Sequence, residues 1–281
     1  MSIATRIRRL YATLERPGSP DAAMAADPVV LAERAGLDPD PWQRDVLRSA
    51  ASRLILLCSR QAGKSTVSSV LAVWTALFRP GSLVLLLSPS LRQSSELYKK
   101  CEAAYVAAGR PVPSVSETAL TLTLSNGSRI VSLPGTEGKI RGFSGVTLLI
   151  VDEASRVLDD LYMAVRPMLA VSGGRLVVMS TPWGKRGFFH QEWTAGGPGW
   201  ERVKITAEQC PRISPDFLDE ERRRMPPRWF NQEYLCLFEA NEDAAFDPDD
   251  VERAMDPTLR PLWETAMLAS ALDDTLAPLA S

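Results

Sequence analysis

Gly63, Lys64, Ser65 and Thr66 follow one another at the end of a short polar loop, Ser59-Arg60-Gln61-Ala62, directly after the apolar run Leu54–Cys58. A strand that feeds such a loop, with a helix opening behind it, binds phosphate. Backbone N–H groups point at the anion, the helix N-terminus adds a favourable dipole, and a lysine and a hydroxyl complete the site. In this reading Gly63 lets the backbone approach the phosphates and Lys64 reaches the β/γ-phosphates. Ser65, with Thr66 beside it, ligates Mg²⁺. A glycine is usual five residues before Gly63, and here that position is Cys58, so the loop is a variant, CSRQAGKS.

Two further stretches carry chemistry at the ends of apolar runs. Asp152-Glu153 follows Thr147–Val151. An Asp there can hold Mg²⁺, and the adjacent carboxylate can polarise an attacking water. Neighbouring residues of an extended chain point opposite ways, so the two are expected to take separate roles. Ser180-Thr181-Pro182 follows Leu176–Met179, and its hydroxyls could sense a γ-phosphate and pass on its loss. Upstream, Gln43 sits on a helix begun by Asp40-Pro41. Its amide can both donate to and accept from adenine, although a solvent-facing glutamine is the plainer alternative.

The elements that must position these groups alternate in type. Val67–Phe78 and Arg92–Gly109 read as helices, Ser82–Ser90 and Val146–Val151 as strands, and Asn126-Gly127 as the turn of a hairpin within Ala119–Leu133. Such alternation implies a mostly parallel sheet covered on both faces, with ligands at the carboxyl ends of its strands.

Composition narrows the chemistry. The chain has 281 residues, with 32 Lys+Arg against 34 Asp+Glu for a net charge of −2, so any nucleic-acid contact is expected to be local or shared among subunits. One histidine, His190, excludes a multi-His metal centre. The four cysteines lack CxxC spacing and read as reduced thiols, with Cys58 a packed residue rather than a nucleophile. No apolar run reaches the ~20 residues of a membrane span, and the N-terminus has no signal core, so a cytoplasmic protein is expected. Arg222-Arg223-Arg224 is read as a solvated helix face and the tryptophans as packing residues.

On these motifs the chain resembles the ATPase portion of a tailed-bacteriophage terminase large subunit. The likeness runs from about Pro41 to Phe246. It rests on Ser59–Thr66, Ser125-Asn126-Gly127-Ser128, Arg141-Gly142-Phe143 before Leu148–Glu153, Ser180–Gly184 with Phe188-Phe189, and Phe230–Leu235. The resemblance implies an α/β P-loop NTPase of RecA-like, additional-strand type. A helical lead-in would occupy 1–37, the ATPase core 38–184, a small lid subdomain 185–246, and a C-terminal tail 247–281.

It also implies roles. Gln43 would read adenine, and Ser59, Arg60, Gln61, Ala62, Gly63, Lys64, Ser65 and Thr66 would cradle ATP. Ser65 and Asp152 would hold Mg²⁺, Glu153 would be catalytic, and Ser180, Thr181 and Pro182 would couple. Arg60 would act in cis and Arg141 as a finger offered to the next subunit. The implied partners are double-stranded DNA, a portal protein, a small terminase subunit and further copies in a ring, with no membrane. The implied setting is the host cytoplasm, not the virion. The family's nuclease domain is not expected in the roughly forty residues after Glu239, whose acids Asp247, Asp249, Asp250, Asp273 and Asp274 read as linker and helix ends. A helicase-like ATPase and a nucleotide-binding prophage remnant are the alternatives.

Overall fold

The computed structural model describes residues 20–135, 142–240 and 254. Long-aliphatic runs form the centre of one sheet because a strand covered on both faces has no position that must be polar. In β2 (Leu83–Ser88) every residue is buried, as are five of six in β1 (Arg53–Cys58) and all of β6 (Leu148–Asp152). With β7 (Arg175–Ser180), β5 (Arg129–Pro134) and β8 (Glu201–Ile205) these strands run parallel. β3 (Ser114–Thr118) and β4 (Thr121–Leu124) extend one edge antiparallel. The eight strands lie in the order β3-β4-β5-β2-β6-β7-β1-β8.

Successive side chains of a strand face opposite layers. Leu54, Leu56 and Cys58 pack with α2 (Pro28–Arg34), α3 (Pro41–Arg48), α4 (Lys64–Phe78) and α5 (Leu91–Ala107). Ile55 and Leu57 pack on the other face with α6 (Asp159–Val165) and α7 (Gly187–Ala195). Both layers therefore depend on the register of β1. The sheet is the parallel, doubly covered one expected, with the antiparallel hairpin as its added edge.

Several details depart from expectation. A short helix, α1 (Pro20–Ala26), precedes α2 within the expected helical lead-in. Strands β3 and β8 were not anticipated. β3 is a polar edge strand, exposed at four of its five positions. β8 pairs in parallel with β1, Leu54 opposite Glu201 through Cys58 opposite Ile205. The break expected at 184–185 is therefore not an edge of the sheet, because residues 201–205 belong to it. Beyond β8, α8 (Pro215–Arg224) and α9 (Pro227–Glu233) gather around a small apolar centre of Ala207, Leu218 and Phe230. Residues 1–19 of the lead-in expected at 1–37, and the tail expected at 247–281 apart from Ala254, lie outside the described residues.

Asn126-Gly127 does form the β4–β5 turn, with Gly127 at φ +86°. Asn126 has a second task. Buried in the turn, its amide donates to the carbonyls of Ala76 (2.9 Å) and Leu77 (3.2 Å) and accepts from Ser128 N (3.0 Å). The hairpin thus caps the carboxyl end of the helix that starts at the phosphate loop. Asn126→Ala leaves buried carbonyls unpaired, and a loss of about 2–4 kcal/mol is expected. Urea unfolding should show a lower midpoint at unchanged slope; a loss below ~0.5 kcal/mol would show the cap to be dispensable.

Candidate active site

Strands β6, β7 and β1 are adjacent and parallel, so their carboxyl ends open side by side. Each carries one of the three motifs. The loop after β1 enters α4 through Gly63, which is left-handed at φ +92°. The backbone angle calls for glycine, and a Cβ there would lie 2.6 Å from Gln43 Nε2 and displace that amide. Lys64 is buried, and its Nζ lies 3.0 Å from Glu153 Oε1. Burial pulls the Lys64 pKa down, but the charges of Glu153 and Asp152 outweigh it and hold the ammonium above its ordinary range.

Asp152 ends β6 and accepts from Glu153 N (2.9 Å) and from Ser65 Oγ (3.3 Å). Burial raises its pKa to about 6, against the lowering by Lys64. Glu153 does not continue the strand. It is left-handed (φ +48°, ψ +43°), so the expected opposition of neighbouring side chains does not apply, and its carboxylate turns back onto Lys64. A hard dication fits between Ser65 and Asp152: both donors are oxygen, and a buried carboxylate with a raised pKa gains from added positive charge. No cluster of three or more His, Cys, Asp or Glu side chains placed to hold a metal occurs among the described residues. Any such ion would therefore take the rest of its shell from water or a ligand.

The third motif is split in its roles. Ser180 is fully buried and its Oγ is 2.6 Å from Ser155 Oγ, while Ser155 Oγ also donates to Thr181 O (2.9 Å). A direct contact of Ser180 with phosphate is thereby excluded in this arrangement, and of the three residues it is Thr181 that lines the cavity. That cavity, of about 610 Å³, lies between the phosphate loop, α5, the Asp152-Glu153 turn and the Ser-Thr-Pro segment. Its rim carries five cationic side chains (Arg60, Lys64, Lys100, Arg156 and Arg212) against one carboxylate, Glu153. Such a lining selects a polyanion.

A second hollow of about 300 Å³ adjoins it through Gly63, Thr66 and Arg212, walled by Leu37, Pro39, Val67 and Val70. Gln43 lines it, with its amide partly engaged: Oε1 accepts from Asp40 N (2.9 Å) and Nε2 donates to Ala62 O (3.2 Å). One donor and one acceptor position of that amide remain for a ligand.

Residues distant in sequence hold the loop in place. Ser59 N donates to Ile205 O (2.9 Å) and Arg60 N to Glu233 O (3.2 Å). The Arg60 guanidinium pairs with the buried Glu233 carboxylate, which holds the Arg60 pKa up. Arg212 donates to Asp40 Oδ1 (2.8 Å) and Ala62 O (3.0 Å), tying α3 to the loop. Arg212 carried no sequence signal, since it lies 150 residues from the loop it grips. Arg156, Gln93 and Lys100 were likewise missed, although Arg156 follows the carboxylates by only three positions. Arg141 lies outside the described residues.

The remaining readings divide. Arg222 and Arg224 pair with Glu208 and Glu220, as a solvated face does. The His190 ring packs edge-on to Phe238. Trp200 is buried, whereas Trp229 is 43% exposed and not a core residue. Burial pushes the thiols of Cys58, Cys101 and Cys236 up to about 12. At pH 8 only about one in ten thousand of each is thiolate. Native protein treated with iodoacetamide at pH 8 should carry no label on these three by mass spectrometry, and full label after denaturation. Labelling of native Cys58 would show that it is reactive.

Residues 55–253 match the family model described as terminase large subunit, T4likevirus-type, N-terminal. The terminase large subunit of Thermus phage G20c is 26% identical over 255 residues, covering 78% of this chain and 52% of the relative. That of Escherichia phage T5 is 25% identical over 212 residues, covering 72% and 48%. The chain thus spans about half the length of these curated relatives. Its fold matches the large terminase ATPase domain of Thermus phage P74-26 with a TM-score of 0.67 at 23% identity, over 74% of this chain and 97% of that one. The large terminase of another thermophilic bacteriophage, solved in complex with ADP, matches with a TM-score of 0.60 at 16% identity, over 71% and 54%. With the family model covering most of its length, and a RecA-like P-loop sheet beneath the motifs, the chain belongs to the phage terminase large subunits and matches their N-terminal part.

Proposed function

We propose that this chain hydrolyses ATP and is the motor part of a terminase that drives double-stranded DNA into a procapsid. The observation that carries the reading is the convergence, at three adjacent strand ends, of Lys64 with Glu153 (3.0 Å) and of Ser65 with Asp152 (3.3 Å), beneath a cation-lined cavity. A polyanion entering there meets the backbone of residues 59–66 and offers Lys64 a second partner. Lys64 then neutralises the β/γ-phosphates, and Glu153 is released to orient a water. The water oxygen bonds the γ-phosphorus, its proton passes to Glu153, and the β–γ bridging oxygen leaves on ADP. Mg²⁺ held by Ser65 and Asp152 would supply charge neutralisation at the same oxygens.

Gln43 and the adjoining hollow suit the base, with one donor and one acceptor still available. Arg60 exchanges Glu233 for the developing phosphoryl charge, and Arg141 completes the site of a neighbouring subunit in a ring. Ser180 acts through Ser155 on the turn that follows Glu153, while Thr181, with Pro182 next to it, lines the cavity. Double-stranded DNA, a portal and a small terminase subunit are the partners this reading entails, in the host cytoplasm. No described helix is long and apolar enough to cross a membrane.

Steady-state hydrolysis over a protein-concentration series, with and without duplex DNA, tests this. Glu153→Ala should keep ATP affinity and lose at least about a hundredfold in kcat. Wild-type activity per subunit should rise with concentration, as a ring completed in trans requires. ATP binding without Glu153-dependent turnover under every condition would overturn the enzyme assignment.

A further inference from the structure

Arg156 stands on a short 3-10 turn, Ala154–Arg156, that nothing so far described requires to carry a charge. The turn is firmly fixed, with Ala154 buried and only Arg156 exposed. Arg156 N donates to Glu153 O (2.9 Å), and Ser155 ties it to the end of β7 through its N to Ser180 Oγ (3.2 Å), its Oγ to the same oxygen (2.6 Å) and its Oγ to Thr181 O (2.9 Å). The side chain is fixed as well. The guanidinium carbon lies 3.7 Å from the centre of the Trp183 ring, a close cation–π stack. Trp183 in turn meets Trp229 edge-on with ring centres 6.5 Å apart. Trp229 belongs to α9, the helix whose Glu233 holds Arg60.

The stacked guanidinium is not directed at bulk solvent alone. It lines the large cavity together with Lys64, Glu153 and Thr181. A planar guanidinium stacked on an indole keeps its in-plane N–H groups free to donate, and its fork matches a phosphoryl group. A lysine would replace only its charge, having neither the stacking face nor the fork.

We propose that Arg156 is a further phosphate-binding residue of this site, meeting the γ-phosphoryl group beside Glu153, and that Trp183 is the residue that positions it. This rests on the reading of the cavity as an ATP site. Arg156 and Arg60 then form a pair of cis guanidiniums. α9 touches the support of each, through Trp229 for the first and Glu233 for the second. A gain or loss of the γ-phosphate changes the partners of both at once.

The test is equilibrium binding of ATP and ADP to the full chain, comparing wild type with Arg156→Ala, Arg156→Lys, Trp183→Leu and Arg79→Ala. Arg79 is the matched control, an arginine over a tryptophan (Trp74, 5.7 Å) at the other end of α4. Arg156→Ala should weaken ATP about tenfold or more, the scale of one charge-assisted contact, and ADP less than about twofold. Arg156→Lys should recover part of the loss. Trp183→Leu should lower the ATP preference in the same direction, and Arg79→Ala should leave it unchanged. A purely structural role would weaken both nucleotides together and leave their ratio at the wild-type value; that result in Arg156→Ala overturns the proposal. Wild type that binds neither nucleotide would overturn the ATP-site reading itself, an outcome distinguishable before any variant is compared.

Discussion

The structure depends most on one constraint, the adjacency of β6, β7 and β1 in parallel register. It places a buried ammonium, a buried carboxylate and a partly buried carboxylate at neighbouring strand ends. None of these could be buried alone, since an unpaired charge away from water is strongly unfavourable. Together they hold one another in place. Lys64 stays protonated because Glu153 and Asp152 face it, and Asp152 is tolerated because Lys64 offsets part of its desolvation. The cluster carries one positive charge and up to two negative ones. It is therefore complete in shape but short of positive charge, which is the state a cation-assisted phosphate site requires before its ligands arrive.

The second constraint is how a loop of backbone N–H groups is kept open. Glycine at 63 supplies the turn, but a short polar loop does not hold its own shape. The clamps come from β8, Arg212 and α9, which bond Ser59, Ala62 and Arg60 respectively. Arg212 reaches Ala62 from 150 residues away, and Glu233 reaches Arg60 from 173. Both Arg212 and Glu233 make their bonds at the expense of long-range loop closure, so the chain as far as Glu233 must be in place before the loop is rigid. Opening of α8 and α9 would loosen the phosphate loop before it disturbed the central sheet.

These two constraints explain what the sequence made legible. Runs such as Leu83–Leu87 and Leu148–Val151 are strands buried on both faces, and nothing else satisfies such consecutive apolar residues between turn signals. The motifs at their ends could be located once the strands were. Asn126-Gly127 declared its turn because few dipeptides adopt that geometry, although its capping of α4 is tertiary and left no local trace. β3 and β8 were hidden because an edge strand has one open side and need not be apolar: Ser114–Thr118 is largely exposed, and Glu201–Ile205 carries three charged side chains among its five. Glu153 was misjudged in direction because its left-handed backbone is imposed by the site, against the preference of a non-glycine residue. Arg212 was invisible for the reason that most clamps are: nothing in its neighbourhood says what it will touch.

The placement of Ser180 changes how a signal could leave the site. A hydroxyl at a strand end next to phosphate suggests direct sensing, yet this one is sealed from solvent and bound to Ser155. An effect of the γ-phosphate that reaches β7 through Ser180 must then pass through the Ala154–Arg156 turn, whose backbone begins at Glu153 and whose hydroxyl contacts end on Ser180 and Thr181. That turn can respond as a unit, because Ser155 fixes it to Ser180 and Thr181 by three hydrogen bonds while Glu153 and Arg156 project from either end toward the cavity. Sensing and chemistry would share one rigid piece, and the strained φ of Glu153 is what allows both of its ends to face the same ligand.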